Sequence, residues 1–472
     1  MRKNLLAVAT MAVVVFFVST EMAKAADVSF SGQVRTRWDA MEQFNNIGTN
    51  ETDDAVFSSV RLGAKANVNE TTSAFIQFQS TRNWGELGTG TEASGGGSGN
   101  ASNTVNDNDE SVGVHQAYMQ FKNFLGLPFD AKIGRQEVLL DGWRLFGNTI
   151  WTPGMQSHDM VRLDHKQGNM HLMLGYILHQ EGGRSGDAND GDDIDNWVGY
   201  LNVKGVLGGQ FSGYWNYRDE QQGNLGQAVQ YHTIGGRQAG NMAGLDYRVE
   251  AYFQFGPNAG GVNNPIVSNN VDDAGTTRNF DYDFSAHMFG VRLGKTFKNV
   301  SFQPGITMWY DYLSGTSDDQ GRDGTWGSFW TLYDTGHKYY GLIDMFLGVG
   351  SGNATSGVSG LGLQDMAIKL KMKPMAGWTL KTDYHWFWTA ESIVANPTTS
   401  RISRGTTVNT DMGNFLGNEL DITAVTKMNP NTKVMIGYSN YSISEGFRAL
   451  KSGANIGSED ANWGYVQFDV QF

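Results

Sequence analysis

Cysteine is absent from all 472 residues, which excludes disulfide scaffolds, thiolate metal centres, covalent haem attachment and cysteine nucleophiles together. Proline is scarce, 8 residues against 61 glycines, while aromatic residues make up 12% with 13 Trp; disordered chains have the opposite bias. Beyond the N-terminus there is no apolar run of the ~18 residues that a membrane helix needs. The mean hydropathy of −0.38 is that of a hydrophilic chain. A sequence this aromatic and this hydrophilic must present one apolar face and one wet face.

Arg2 and Lys3 precede an apolar stretch from Leu5 to Val18, and Ala23-Lys24-Ala25 fits an A-x-A cleavage site. Residues 1–25 are therefore expected to be a Sec-type signal peptide, and 26–472 the mature unit. Without Arg2, Lys3, Glu21 and Lys24 the formal charge of −13 becomes −15. An acidic chain with no basic tail argues against nucleic acid, and against docking on anionic lipid.

From Val28 onward the residues alternate. Val28, Phe30, Val34 and Trp38 share one side of an extended segment, with Arg35, Arg37 and Asp39 on the other. Leu245, Val249, Phe253 and Phe255 oppose Asp246, Arg248, Glu250 and Gln254 in the same way, as Trp378, Leu380, Tyr384 and Trp386 oppose Lys381, Asp383 and His385. These runs reach roughly 10–14 residues, the length of a tilted strand crossing a bilayer, where soluble strands average ~5–6.

Connections alternate too. Short polar turns such as 67–70, 123–127, 205–208 and 429–431 are separated by long segments such as 83–111, 138–157, 256–281 and 314–361. That alternation predicts an all-β fold: a transmembrane antiparallel β-barrel of about 18 strands, with short periplasmic turns, long extracellular loops and both chain ends periplasmic. Segment 314–361 is read as one loop, with 339–347 open to being a further strand or a short helix. Trp38, Trp84, Trp378, Trp388 and Trp463 suit interfacial girdles. The last strand closes on Phe472, which resembles the C-terminal signal read by the barrel assembly machinery.

Parity directs charges of both signs into the lumen. The basic candidates are Arg35, Arg37, Arg61, Lys65, Arg162, Lys204, Arg218, Arg248, Arg292, Lys369, Lys371 and Lys381, and the acidic ones include Asp39, Asp164, Glu250, Asp311, Asp365, Glu419 and Asp421. Basic side chains in a narrow, low-dielectric passage concentrate anions even in an acidic protein.

Lys132-Ile133-Gly134-Arg135-Gln136-Glu137, Asp141-Gly142-Trp143-Arg144-Leu145 and Val161-Arg162-Leu163 form a strand-loop-strand block. This block resembles that of alginate export outer-membrane proteins, and Gly362-Leu363-Gln364-Asp365 before Lys369 is similar to a second family segment. The resemblance implies an 18-stranded barrel with an electropositive constriction that passes an acidic polysaccharide outward. It also implies that Arg135, Arg144, Arg162 and Asp164 are pore-lining charges. His158-Asp159-Met160 departs from the family's Phe-Asp-Gly, and the parity of Arg135 with Ile133 turns it outward unless the strand bulges.

Other signals are weaker. Asp187, Asn189, Asp190 and Asp192 resemble an oxygen-ligand calcium loop, but Gly191 is one place early for an EF-hand and no Glu closes it, so a solvated acidic loop is the favoured reading. No further cofactor is expected. No G-x-S-x-G elbow is present, and the expectation is no enzyme. The expected partners are outer-membrane lipid, the assembly machinery, an anionic small solute or polysaccharide and, as an open alternative, a periplasmic partner protein. In that alternative the barrel is a structural sleeve or scaffold for a partner such as a cytochrome.

Overall fold

The computed structural model describes residues 27–42, 52–84, 112–180, 193–220, 229–259, 283–348, 358–395, 410–451 and 460–472. Residues 1–25, with the expected signal peptide, and Asp187, Asn189, Asp190 and Asp192 of the calcium-like loop lie outside them. The first six long strands are β1 Asp27–Glu42, β2 Thr52–Asn67, β3 Thr72–Asn83, β4 Gly113–Phe121, β5 Asp130–Gln136 and β6 His158–Gln167. Next come β7 Met170–Gln180, β8 Ile194–Val206, β9 Gly209–Glu220, β10 Val229–Met242, β11 Leu245–Ala259 and β12 Asp283–Thr296. β13 Gly305–Leu313, β14 Leu363–Met372, β15 Trp378–Trp388, β16 Phe415–Asn429, β17 Thr432–Ile443 and β18 Ala461–Gln471 complete the set.

Each strand pairs antiparallel with the next, and β18 returns to β1 from Gln33 opposite Gln471 to Glu42 opposite Asn462. The result is a closed 18-stranded barrel with no free edge. Closure extends to the terminus, where Phe472 N–H donates to the Gly32 carbonyl at 3.0 Å and Gly32 N–H to the Phe472 carbonyl at 2.7 Å.

The alternation read from the sequence is the inside–outside pattern of the wall. Phe30, Trp38, Val60, Leu62, Val249 and Phe253 are exposed outward, while Arg35, Arg37, Arg61, Arg248 and Glu250 are buried inward. An aqueous protein would bury the first set; a bilayer accepts it. Trp463 departs from the expected girdle, because its parity with Ala461 and Tyr465 points it into the lumen, where it is buried.

Two connections carry no clear mark in the sequence, the turn Ala243–Gly244 and the segment 221–228 between β9 and β10. Ala243 and Gly244 take φ of 53° and 79°, as Leu207 and Gly208 take 47° and 71°. Both pairs are two-residue turns whose twist matches the flanking strands.

Among its described residues, segment 314–362 adds no strand that crosses the wall, only the two residues Thr325–Trp326 paired parallel with Asp283–Phe284 of β12. It carries a one-turn helix α1 (Asp318–Arg322), capped reciprocally by Ser317 and Gln320, and a 3-10 turn at Gly336–Lys338. A second short helix, α2 (Glu445–Lys451), follows β17. The apolar core lies inside the extracellular half of the barrel. Val138, Leu145, Phe146, Tyr340, Phe346 and Phe447 from inward-folded loops pack on Met173, Ile177, Tyr252, Phe387, Tyr441 and Trp463 of the wall.

Candidate functional site

β5 is only 7 residues long, so the chain leaves the wall at Gln136 and returns at His158. Residues 137–157 cross the lumen between those points. Glu137 anchors the departure by accepting from His115 Nε2 at 2.8 Å and Asn148 Nδ2 at 2.9 Å. Burial pushes its carboxyl up, yet these two partners hold it below the ordinary glutamate value. The crossing is tightly wound, with Asp141, Trp143, Thr149 and Met155 all at positive φ. Strain of this kind persists only where the surroundings enforce it.

One flank of the crossing is held by the β1–β3 wall. Arg35 donates to the carbonyls of Ile150 and, at 2.6 Å, Thr152. Arg37 donates to Trp151 O at 3.1 Å, lies 4.0 Å from the Trp151 ring centroid and pairs with Asp39 at 2.9 Å. Ser59 donates to Pro153 O at 3.1 Å, Gln79 to Gly154 O at 2.5 Å, and Arg61 contacts Met155 sulfur. The exposed carbonyls of a stretch with no regular structure therefore find their donors on the barrel wall.

The other flank is Asp141-Gly142-Trp143-Arg144-Leu145. Asp141 accepts from Tyr214 Oη and, at 3.0 Å, from Gln210 Nε2. Arg144 is enclosed: it donates to Asp311, to Glu250 at 3.2 Å and to Tyr340 Oη at 2.9 Å, and its guanidinium lies 3.6 Å from the Tyr339 ring centroid. Burial disfavours its charge, but Asp311, Tyr340 and Glu250 outweigh burial and hold its pKa well above the ordinary value. A charge so enclosed fixes the loop rather than meeting solute.

The 314–362 loop locks onto this crossing backbone to backbone. Tyr333 N–H donates to Leu145 O at 2.9 Å, Gly147 N–H to Tyr333 O at 2.8 Å, and Thr335 N–H to Trp143 O at 3.1 Å. Gly147 is needed there, because a Cβ would collide with the Thr335 side chain and sit 2.9 Å from Trp143 Cβ. Glu419 on β16 holds the loop's far side by accepting the N–H groups of Leu342 and, at 2.9 Å, Ile343.

Around Gly142 the two loops gather basic groups whose charge is only partly compensated. Lys338 Nζ donates to Gly142 O at 3.1 Å, sits 4.3 Å from the Trp143 ring centroid and is exposed. A Cβ on Gly142 would lie 3.5 Å from Arg248 Nη1 and 3.9 Å from Arg237 Nε. Arg248 pairs with Glu250 at 2.7 Å, and Arg237 reaches Asp141 only at 3.7 Å. Arg292 lies on the Trp309 ring at 2.9 Å, and Lys369 approaches the same ring at 4.4 Å. Among the described residues neither Arg292 nor Lys338 has a carboxylate partner at ion-pair distance. Partial desolvation inside the lumen and the nearby Arg292, Arg248, Arg237 and Arg144 push the Lys338 ammonium down to about 8.

The alginate export family model matches residues 26–455. The chain belongs to the alginate export family. Among solved structures it is similar to OccK9 (OpdG) of Pseudomonas aeruginosa, with TM-score 0.55, 11% identity, 94% of this chain and 98% of that one covered. It is also similar to OccAB1 of Acinetobacter baumannii, with TM-score 0.54, 12% identity and 97% and 99% covered, likenesses that speak to the fold. The search of curated proteins found no match. This alginate export family barrel is a channel of the bacterial outer membrane, a transporter.

The family's charges are not equivalent here. Arg135 is a correction: β5 keeps its register with β4 and β6 through Gly134, so no bulge re-aims it. Arg135 faces outward and pairs with Asp159 at 3.0 Å. Arg144 reaches the lumen but is sealed. Arg162 faces the lumen and is neutralised by a two-pronged pair with Asp164 at 2.7 and 2.8 Å, which His171 also joins at 2.6 Å. Arg35, Arg37 and Arg61 face inward but hold the crossing loop. Lys369 pairs with Asp383 at 2.8 Å, and Lys381 lies below it toward the short turns.

Parity had placed Arg248 and Arg292 inward but could not set them apart from the others, and it left Arg237 and Lys338 out. A 3-10 turn carries Lys338, and Arg237 lies in a glycine-rich strand, Gly235-Gly236-Arg237, with no greasy partner face to mark its period.

Proposed function

We propose that this channel passes an anionic solute through the constriction at Gly142, with Lys338, Arg292, Arg237 and Arg248 setting its sign preference. The observation that carries this reading is Arg292 and Lys338, neighbours on one side of a fixed loop crossing that lack a carboxylate at ion-pair distance among the described residues. Charges fixed in a narrow, low-dielectric passage govern which ions enter, whereas acidic loops farther than a Debye length of ~8 Å are screened. Trp143, half-buried beside Lys338, is an apolar ring next to these bases, which suits an acidic saccharide as the solute. The sleeve alternative has no space in its favour, since the chain's own loops fill the extracellular half of the lumen.

Planar-bilayer recording under a salt gradient tests the reading. The double variant Arg292→Gln/Lys338→Gln should lower the anion-to-cation permeability ratio by about fivefold at unchanged barrel yield. An unchanged reversal potential would place the selectivity elsewhere.

A further inference from the structure

The net charge argues against anionic lipid, but the charge is not evenly spread. Every lysine after residue 25, except Lys338 and Lys451, lies in a short turn or within four residues of one. The turns themselves carry Lys122, Lys298 and Lys373 against Glu70, while the long loops hold much of the acid. The periplasmic end of an acidic protein is thus basic.

The same turns expose apolar side chains at their tips. Leu125 is 71% exposed, Leu207 65% and Phe302 59%, and Met242, Met375 and Met428 are also exposed. Leu125, Leu207 and Phe302 also sit at φ of 53°, 47° and 64°, where a residue with a Cβ is disfavoured and glycine or asparagine is the usual choice. A large apolar group in that conformation, held in water, has two physical arguments against it.

We propose that the periplasmic turns form a ring that dips into the inner-leaflet interface and binds anionic phospholipid headgroups. Lys122, Lys298 and Lys373 supply the cations, with Leu125, Leu207 and Phe302 as the apolar feet. Two features favour lipid over a protein partner. The tips are distributed around the barrel rather than gathered on one side, as annular lipid is. They also continue the apolar outer wall, through Phe211 below Leu207 and Met308 and Leu370 beside Phe302 and Met375. Lysine stems lie along such apolar surface while their ammonium groups reach the phosphates. The inference rests on the outer-membrane setting and is independent of what the pore conducts.

The absence of cysteine makes the test direct, because one introduced thiol is the only one. The full chain carrying Leu207→Cys or Phe302→Cys is labelled with a nitroxide and reconstituted in vesicles of phosphatidylethanolamine with phosphatidylglycerol. Collision with oxygen should then exceed collision with a water-soluble nickel chelate at both sites. Asn169→Cys, on the turn Gly168–Asn169 that bears no apolar residue, should read the reverse. Nickel-accessible labels at Leu207 and Phe302 would overturn the insertion and make the ring a surface for a periplasmic protein.

Spin-labelled lipids test the headgroup preference. Phosphatidylglycerol should be immobilised by the wild-type barrel about threefold more than phosphatidylcholine, and equally in Lys122→Gln/Lys298→Gln/Lys373→Gln. A preference retained in that triple variant would overturn the lysine assignment. Heat-modifiable gel migration checks that each variant is folded.

Discussion

Two sets of basic residues share the lumen face and do opposite things. On the β1–β3 side, Arg35, Arg37 and Arg61 are committed to carbonyls, a ring and a sulfur of the crossing loop, so their hydrogen bonds are saturated by the chain itself. On the β10–β12 side, Arg237, Arg248 and Lys338 gather at Gly142 with Arg292 beside them on Trp309, and among the described residues Arg292 and Lys338 have no carboxylate at ion-pair distance. Arg144 stands between them and joins the first group by its bonding, although it reaches across to the second. The lesson is that inward parity makes a charge available to the lumen, and only the loops decide whether it is left available to a solute.

The largest test of that division is Arg144→Met. It strips Asp311 and Glu250 of their shared partner, and leaving a buried carboxylate unpaired typically costs about 3–5 kcal/mol. The wall does not depend on this contact, because its strands are held by their own ladder. The expected result is an intact, heat-modifiable barrel whose single-channel conductance rises about threefold as the crossing loop detaches. A lower melting temperature at unchanged conductance would make Arg144 a wall strut instead.

A smaller effect is expected from Arg35→Gln/Arg37→Gln. This unpins only the other flank, so conductance should rise by about half and become noisier, with anion preference kept because the uncompensated bases are untouched. Loss of preference in this variant would erase the distinction between the two sets.

The gentlest test is pH. Asp334 lies four residues before Lys338 on the same loop, near Arg144; burial raises its carboxyl to about 7, though Arg144 pulls the other way, while Lys338 is lowered to about 8. Raising pH from 6 to 9 therefore adds a negative charge and then removes a positive one, and both changes make the constriction less positive. Anion preference should fall steadily across that range, by about twofold, and Lys338→Arg, with a guanidinium that stays protonated, should flatten the upper half. A preference that rises with pH would contradict the placement of both groups.

Much of the wall is legible in the sequence. A period of two with greasy and charged faces has one meaning when strands run to 16 residues, as β1 and β2 do. The failures are specific. Its residue type alone suits Trp463 to the girdle, but its neighbours at two-residue spacing, Ala461 and Tyr465, share its burial against the loops. The turn Ala243–Gly244 was missed because alanine in a left-handed conformation has no sequence signature. For Arg135 the family resemblance and strand parity disagree, and the structure follows parity because Gly134 bends without shifting register.

By itself the sequence determined the barrel, its inside and outside and its membrane, because alternation is a local property that every strand states for itself. It also determined that the lumen would hold both signs of charge. Which of those charges is paired was decided only by the tertiary structure. The loop carbonyls that hold Arg35 and Arg37, and the carboxylates of Arg144, lie more than a hundred positions away in the chain, and the partners of the 137–157 crossing come from β1, β3, β11, β13 and the 314–362 loop together. A contact of that span depends on where two long loops come to rest inside a closed wall. No periodicity encodes that position, which follows from the whole set of donors and acceptors being satisfied at once.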